Sequence, residues 1–161
     1  MSAIPPDDRR HLLRAVALSR EAMDRGEGSP FGAVNIRDGA VLAEGWNQVS
    51  STHDPTAHAE VVAIRRACQA LGASSLEGAT LYASCEPCPM CLVAAHWARV
   101  PRIVYANTKA DAAAIGFSDA FLYDEIAKPP AERVLTMQHA PAEEARAVFA
   151  DWLRGTDRTA T

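Results

Sequence analysis

Between residues 8 and 25 the apolar positions Leu12, Leu13, Val16, Ala17 and Met23 recur at a helical period that stops at Gly26. That spacing predicts an amphipathic opening helix. The period then changes. "FGAVNIRDGAVLAEGWNQV" (31–49) holds two short apolar runs on either side of Asp38-Gly39, a pattern that predicts a β-hairpin. Asn35 alternates with Val34 and Ile36, which assigns it to the polar face of a strand. "DPTAHAEVVAIRRACQALG" (54–72) predicts a helix with Asp54 as its cap, Pro55 at its first position and Gly72 as its stop.

"ATLYAS" (79–84) and "RIVYAN" (102–107) are short apolar runs suited to buried strands, with a helix from about Pro89 to Ala98 between them. A polar, Ala-rich stretch follows at 108–127, then a strand at 134–138 and a closing helix at 141–154. Strands alternating with helices predict an α/β fold with helices on both faces of a sheet. No repeat, low-complexity tract or linker interrupts the pattern, so residues 1–161 are expected to form a single domain.

Composition narrows the possible partners. At 161 residues and 48% hydrophobic, the chain can bury a full core. Its net charge is −4 and its Lys and Arg are scattered, which argues against a binder of long nucleic acid but not against a small uncharged substrate. "MSAIPPDDRR" contains no apolar leader, and no later run approaches the roughly 18 residues of a membrane span. A cytoplasmic protein is therefore expected, with its cysteines reduced rather than bridged.

Three of those cysteines, Cys85, Cys88 and Cys91, stand in "SCEPCPMC". A spacing of three puts Cys88 and Cys91 on one face at the start of a predicted helix, where the macrodipole favours thiolates. His58 and Glu60 stand at the start of the preceding predicted helix. Neutral His58 with the two thiolates makes three zinc ligands, and three ligands leave a fourth position for water, the arrangement of a catalytic site. Glu60, two residues beyond the His, is free to move that water's proton. A thioredoxin-like redox pair fits less well because it leaves the upstream His-x-Glu unused, and a closed Cys₃His site fits less well because Cys85 sits near a strand end, separated from the helix by Glu86-Pro87. Cys85 and Cys68 read as small buried thiols, and Glu86 as fixing the turn before Pro87. His11, His53, His96 and His139 have no partner pattern and read as surface or packing residues.

H-A-E followed one strand later by P-C-P-M-C resembles the signature of the zinc deaminases. "PFGAV" (30–34), "EGWNQV" (44–49), "DPTAHAEVVAIRRAC" (54–68), "SCEPCPMCLVAAHWAR" (84–99) and "DAAAIGFSDAFLY" (111–123) extend the resemblance to the cytidine-deaminase-like fold. Within it they point to the guanine-acting bacterial branch. That resemblance implies a three-layer α/β/α sandwich with a five-stranded mixed sheet, one zinc per chain and a homodimer. It also implies hydrolytic deamination of guanine to xanthine and ammonia.

Site roles follow by the same resemblance. Phe31 and Trp97 match aromatic walls for the purine, Asn47 a base-binding amide, the Ala59 backbone a neighbour of the substrate, and Asp119 an acid that reads the purine and assists proton transfer. Members of this branch exchange C-terminal segments and close the partner's pocket with a terminal aromatic. Here the chain ends "LRGTDRTAT", and Trp152 is the nearest aromatic. Guanosine, cytosine, a triazine such as ammeline and adenosine in tRNA are the rival substrates. A non-catalytic zinc-binding module is the rival outside catalysis, and the intact Glu60 argues against it.

Overall fold

The opening helix forms where its spacing predicts, as α1 over Pro6–Asp24, with proline at its start and Asp7 and Asp8 in its first turn. Both acids complement the positive end of the helix. The structure is a computed structural model that describes residues 4–155. The hairpin follows as β1 (Gly32–Arg37) and β2 (Ala40–Trp46). Its two turn residues, Asp38 and Gly39, have φ of 53° and 76°, the twist that suits two strands joined this tightly.

The next elements are α2 (Val49–Thr52), α3 (Ala59–Leu71), β3 (Thr80–Cys85), α4 (Pro89–Trp97), β4 (Arg102–Asn107) and α5 (Lys109–Ala114). The sheet order is β2-β1-β3-β4, with β1 antiparallel to both neighbours and β3 parallel to β4 through the α4 crossover. α1 covers one face, where Ala15 and Leu18 pack on Val34, Ile36 and Tyr82. On the other face, Ala59, Ala63, Ile64 and Ala67 of α3 and Ala95 of α4 pack on Ala33 and Leu81. This is the expected α/β/α layering.

Gly45 sets how closely α3 approaches the sheet. A Cβ there would lie 2.3 Å from the Ala59 carbonyl oxygen and 2.6 Å from the Ala63 nitrogen, so only glycine lets the helix backbone rest on β2. The other end of the sheet is clamped through Asp8. Its carboxylate accepts from the Tyr82 hydroxyl at 2.5 Å and from both Arg102 Nη atoms at 2.9 and 2.5 Å, joining α1 to β3 and β4.

Three expectations need correction. Asn35 is not on an exposed polar face: it is 0% exposed, because α3 and α4 cover the side of the sheet it shares with Ala33. Among the described residues, neither its side-chain oxygen nor its nitrogen has a hydrogen-bond partner. Cys68 is half-buried rather than buried. Among the described residues the sheet has four strands rather than five, because 134–138 is not a strand.

Residues 120–155 belong to a separate compact unit, with α6 (Ala120–Ala127), a 3₁₀ turn (Pro130–Glu132) and α7 (Glu143–Arg154). Here a side chain takes up one backbone group that a strand would have paired. The Val134 N–H donates to Glu125 at 2.7 Å, and the Arg133 guanidinium donates to the Ile126 and Lys128 carbonyls. No described residue of this unit is buried. The chain end "TDRTAT" (156–161) lies outside the described residues. Among the described residues, no helix is long and apolar enough to cross a membrane.

Candidate active site

α3 does not start at Asp54 and Pro55. The Asp54 carboxylate instead accepts from the Thr56 N–H at 2.8 Å and the Thr56 hydroxyl at 2.6 Å, making a side-chain turn that delays the helix. His58 becomes the N-cap, with extended backbone (φ −66°, ψ 154°), and Glu60 lies in the first turn. α4 begins in the same way: Cys88 is its N-cap (φ −65°, ψ 168°), Pro89 follows, and Cys91 is one turn in. The His58 side chain makes no cap bond to its own helix, and the Cys88 thiol faces Cys91 and His58. Both are left to converge between two positive helix ends.

His58 Nδ1 lies 3.6 Å from Cys88 Sγ and 3.6 Å from Cys91 Sγ, and the three donor atoms all fall within 4.8 Å of one another. A tetrahedral zinc with bonds of about 2.0–2.1 Å to nitrogen and 2.3 Å to sulfur would place such atoms about 3.6 Å apart. The donor set fits that ion in both chemistry and spacing.

Without a metal these groups share protons. The Cys88 thiol is held down to about 4, first by the hydrogen bond from Cys91 and then by His58. Cys91 is pushed up, first by that same bond to Cys88 and then by burial. His58 is raised by the Cys88 thiolate. A dication would displace these protons and take the lone pairs. Glu60 is buried beside them within hydrogen-bonding reach of Cys91, and burial raises its carboxyl above the usual range.

The expected wall residues divide. Phe31 packs against the core cluster that contains Ala59, and its carbonyl accepts the Asn47 N–H at 3.0 Å. Asn47 is buried, its side-chain oxygen accepts from Val49 N at 3.3 Å, and Gln48 N donates to the Ala57 carbonyl at 2.9 Å. Phe31, Asn47 and Ala59 are thus laced to the turn that carries His58. Trp97 is not brought to the thiols. It ends α4, about 9 Å along the helix from Cys91 at 1.5 Å per residue, and is 73% exposed. Asp119 is half-buried just before α6 and makes no hydrogen bond among the described residues that ties it to His58, Cys88 or Cys91.

Three contacts were not legible from motifs. Phe117 meets Phe31 edge-on, with centroids 5.1 Å apart at 87°, so the segment carrying Asp119 rests on the Phe31 wall. Glu86 does more than fix its own turn, because its carboxylate accepts the Lys109 N–H at the start of α5. Cys85 is buried as expected, and its Sγ lies 3.6 Å from the Thr108 carbonyl. Glu86 and Cys85 together hold the next segment against the thiol loop. The Gly-Phe-x-Asp spacing was the one available signal for Phe117. His11 packs on Tyr82, while His53, His96 and His139 are exposed, in line with their plain reading.

Comparison with known proteins gives consistent findings. The family model for the cytidine and deoxycytidylate deaminase zinc-binding region matches residues 5–107. A guanine deaminase of Bacillus subtilis (strain 168) is 51% identical over 141 residues, covering 88% of this chain and 90% of that protein. The solved structure of a guanine deaminase from Bacillus subtilis superposes with a TM-score of 0.92 at 47% identity, covering 94% of this chain and 97% of that one. A tRNA-specific adenosine deaminase of Agrobacterium fabrum is 44% identical over 99 residues, covering 61% of this chain and 64% of that protein.

Proposed function

The chain belongs to the zinc-binding cytidine and deoxycytidylate deaminase family, and from that premise we propose that it is a guanine deaminase, converting guanine and water to xanthine and ammonia. The observation that carries the reading is a buried, non-ligating Glu60 beside a His58–Cys88–Cys91 triangle, in a chain 51% identical to a guanine deaminase over most of its length. His58, Cys88 and Cys91 would hold one zinc. That ion supplies Lewis acidity, which makes water a nucleophile near neutral pH.

Glu60 takes a proton from the attacking water and passes it to a ring nitrogen, which makes the amine-bearing carbon electrophilic. It then takes the remaining proton from the added hydroxyl and gives it to the departing amine, with Asp119 assisting, so that the carbonyl forms as ammonia leaves. Burial suits Glu60 to this work, because a carboxyl raised above the usual range gives and takes a proton more readily. Asp119 and Asn47 read the purine's donors and acceptors, Phe31 walls the ring and the Ala59 backbone lies beside it. Trp97, held away from the thiols, would serve as a wall only once a second copy covers it.

The acting species is a cytoplasmic homodimer built from one deaminase domain per chain, with exchanged C-terminal segments. Support for association comes from Val148, Phe149, Trp152 and Leu153, all exposed on α7, and from Trp97. An exposed wall residue is explained if a second copy covers it.

The test is ammonia release by zinc-loaded protein from guanine, guanosine, adenine, cytosine and ammeline. Guanine should lead, and Asp119→Ala should lose most guanine turnover while keeping its zinc. Cytosine or a nucleoside turned over faster than guanine would overturn the substrate assignment. No ammonia from any of them would overturn the enzyme reading.

A further inference from the structure

Two members of the metal triangle share the first turn of one helix, and the third does not. Cys88 and Cys91 are fixed relative to each other by α4, whereas His58 comes from a different element and depends on the turn before α3. We infer that Asp54 is a positioning residue for His58, acting through the hydrogen-bonded turn 54–58. The inference rests on the zinc reading above and extends it to a residue outside the site.

The chain of contacts is short. One carboxylate oxygen, Asp54 Oδ1, accepts from both the N–H and the hydroxyl of Thr56, at 2.8 and 2.6 Å. The Thr56 carbonyl in turn accepts the His58 N–H at 2.8 Å. On the other side, the His58 carbonyl accepts from Val62 N at 2.9 Å, as the first bond of α3. The His58 backbone is therefore pinned from both directions, and the upstream pin leads back to Asp54. Pro55 between them restricts the same turn. Ala57 N donates to the Asp54 carbonyl (3.0 Å) and so holds the peptide that presents the Thr56 carbonyl. Gln48 N to the Ala57 carbonyl (2.9 Å) holds the outer course, and the Asp54 side chain fixes the other end of Thr56, its N–H and hydroxyl.

Arg65 also reaches this turn, donating to Asp54 Oδ2 and Thr56 Oγ1 at 3.2 Å each. Its side chain is 56% exposed and that of Asp54 36%, so the ion pair itself contributes little. The acceptor geometry of Asp54 carries the effect, rather than its charge. A metal site tolerates ligand misplacement of only about 0.5 Å, which makes a loose turn costly to affinity.

The test uses the full chain and competition with a chromophoric chelator to measure zinc affinity for wild type, Asp54→Ala, Asp54→Asn and Arg65→Met. Melting curves and guanine kinetics at saturating zinc accompany it. Asp54→Ala should weaken zinc about 10-fold or more, as losing the support of a metal ligand commonly does. Its kcat should fall while KM for guanine is unchanged. Asp54→Asn keeps an oxygen acceptor at the same reach and should restore near-wild-type affinity, as should Arg65→Met. If the alanine variant does not fold, Asp54→Ser replaces it, with a loss between those of Asn and Ala expected from its shorter reach.

Wild-type zinc affinity in Asp54→Ala with only a lowered melting temperature would overturn the inference. So would an Asn variant as weak as the Ala variant. A wild type that itself holds no zinc would overturn the zinc reading instead.

Discussion

Residues 6–107 and residues 120–155 both carry apolar side chains at regular spacing and use them in opposite ways. In the first region Ala15, Leu18, Val34, Ile64 and Leu81 disappear between a sheet and its helices. In the second, Val134 and Phe149 are 85% and 77% exposed, and no described residue is buried. An amphipathic period therefore identifies a face but not what covers it. Apolar side chains left exposed in this way are available to a partner. The first region buries its own core and carries the metal triangle; the second presents the surface on which the proposed second copy would pack.

The sharpest way to separate the regions is to remove chemistry from the first without touching its packing. Glu60→Gln should lose at least ~10²-fold in kcat while keeping its zinc, its melting temperature and its association state. Turnover near the wild-type rate would mean that the proton moves by another route.

The next test breaks the second region. Replacing Phe149 and Trp152 together by Asp puts charge on the exposed face of α7. Aromatic anchors at an interface are commonly worth about 2 kcal/mol each, or about 30-fold in affinity. Sedimentation should show wild-type dimer at micromolar concentration and a monomeric variant. A wild type that is monomeric, or a variant that stays dimeric, would remove α7 from the interface.

A third returns to the first region's packing. Gly45→Ala places a methyl 2.3 Å from a carbonyl oxygen of α3, and two backbones cannot both give way. Overpacking of this kind costs about 1–3 kcal/mol. Because the displaced helix end carries His58 and Glu60, the variant should melt earlier and also hold zinc less tightly. A loss of stability without any change in zinc affinity would show that α3 yields at its far end.

How much of this was legible follows the same division. The hairpin turn at Asp38-Gly39, the stop at Gly72 and the strands β3 and β4 were readable because each has a local cause: positive φ, or an apolar run between turn residues. His58, Glu60, Cys88 and Cys91 were readable because metal chemistry restricts residue types and intervals. Asn35 was misread because alternation gives a side chain's face and not the helix that later covers it. Asp54 was misread because an acid before a proline suits a helix cap and a side-chain turn equally, and only the backbone of Thr56 decides between them. At 134–138 the expected strand is replaced by irregular backbone whose first N–H, that of Val134, is taken up by Glu125. Phe117 was missed because its partner, Phe31, lies far away in sequence.

The smallest effect compares ion pairs in the two regions. In the first, Asp8 is buried and accepts from Tyr82 and Arg102, which hold its carboxyl at about 2 against an ordinary 3.8. A carboxyl depressed in the folded state stabilises the fold fully above its unfolded value, and that contribution is lost as pH falls from about 4 towards 2. Because Arg102 is half exposed, the contribution is about 1–2 kcal/mol. Asp8→Asn keeps an acceptor oxygen for Tyr82 but loses the charge, so it should be less stable by that amount at pH 7. The gap should close as wild type is acidified. In the second region Glu143 and Arg146 pair at 3.1 Å with both side chains exposed. Glu143→Gln should change stability by less than about 0.5 kcal/mol at any pH. Urea melts of both variants at pH 7 and pH 3 make the comparison. Equal sensitivity of the two would mean that Asp8 is solvated in solution and that α1 is not clamped to β3 and β4 through it.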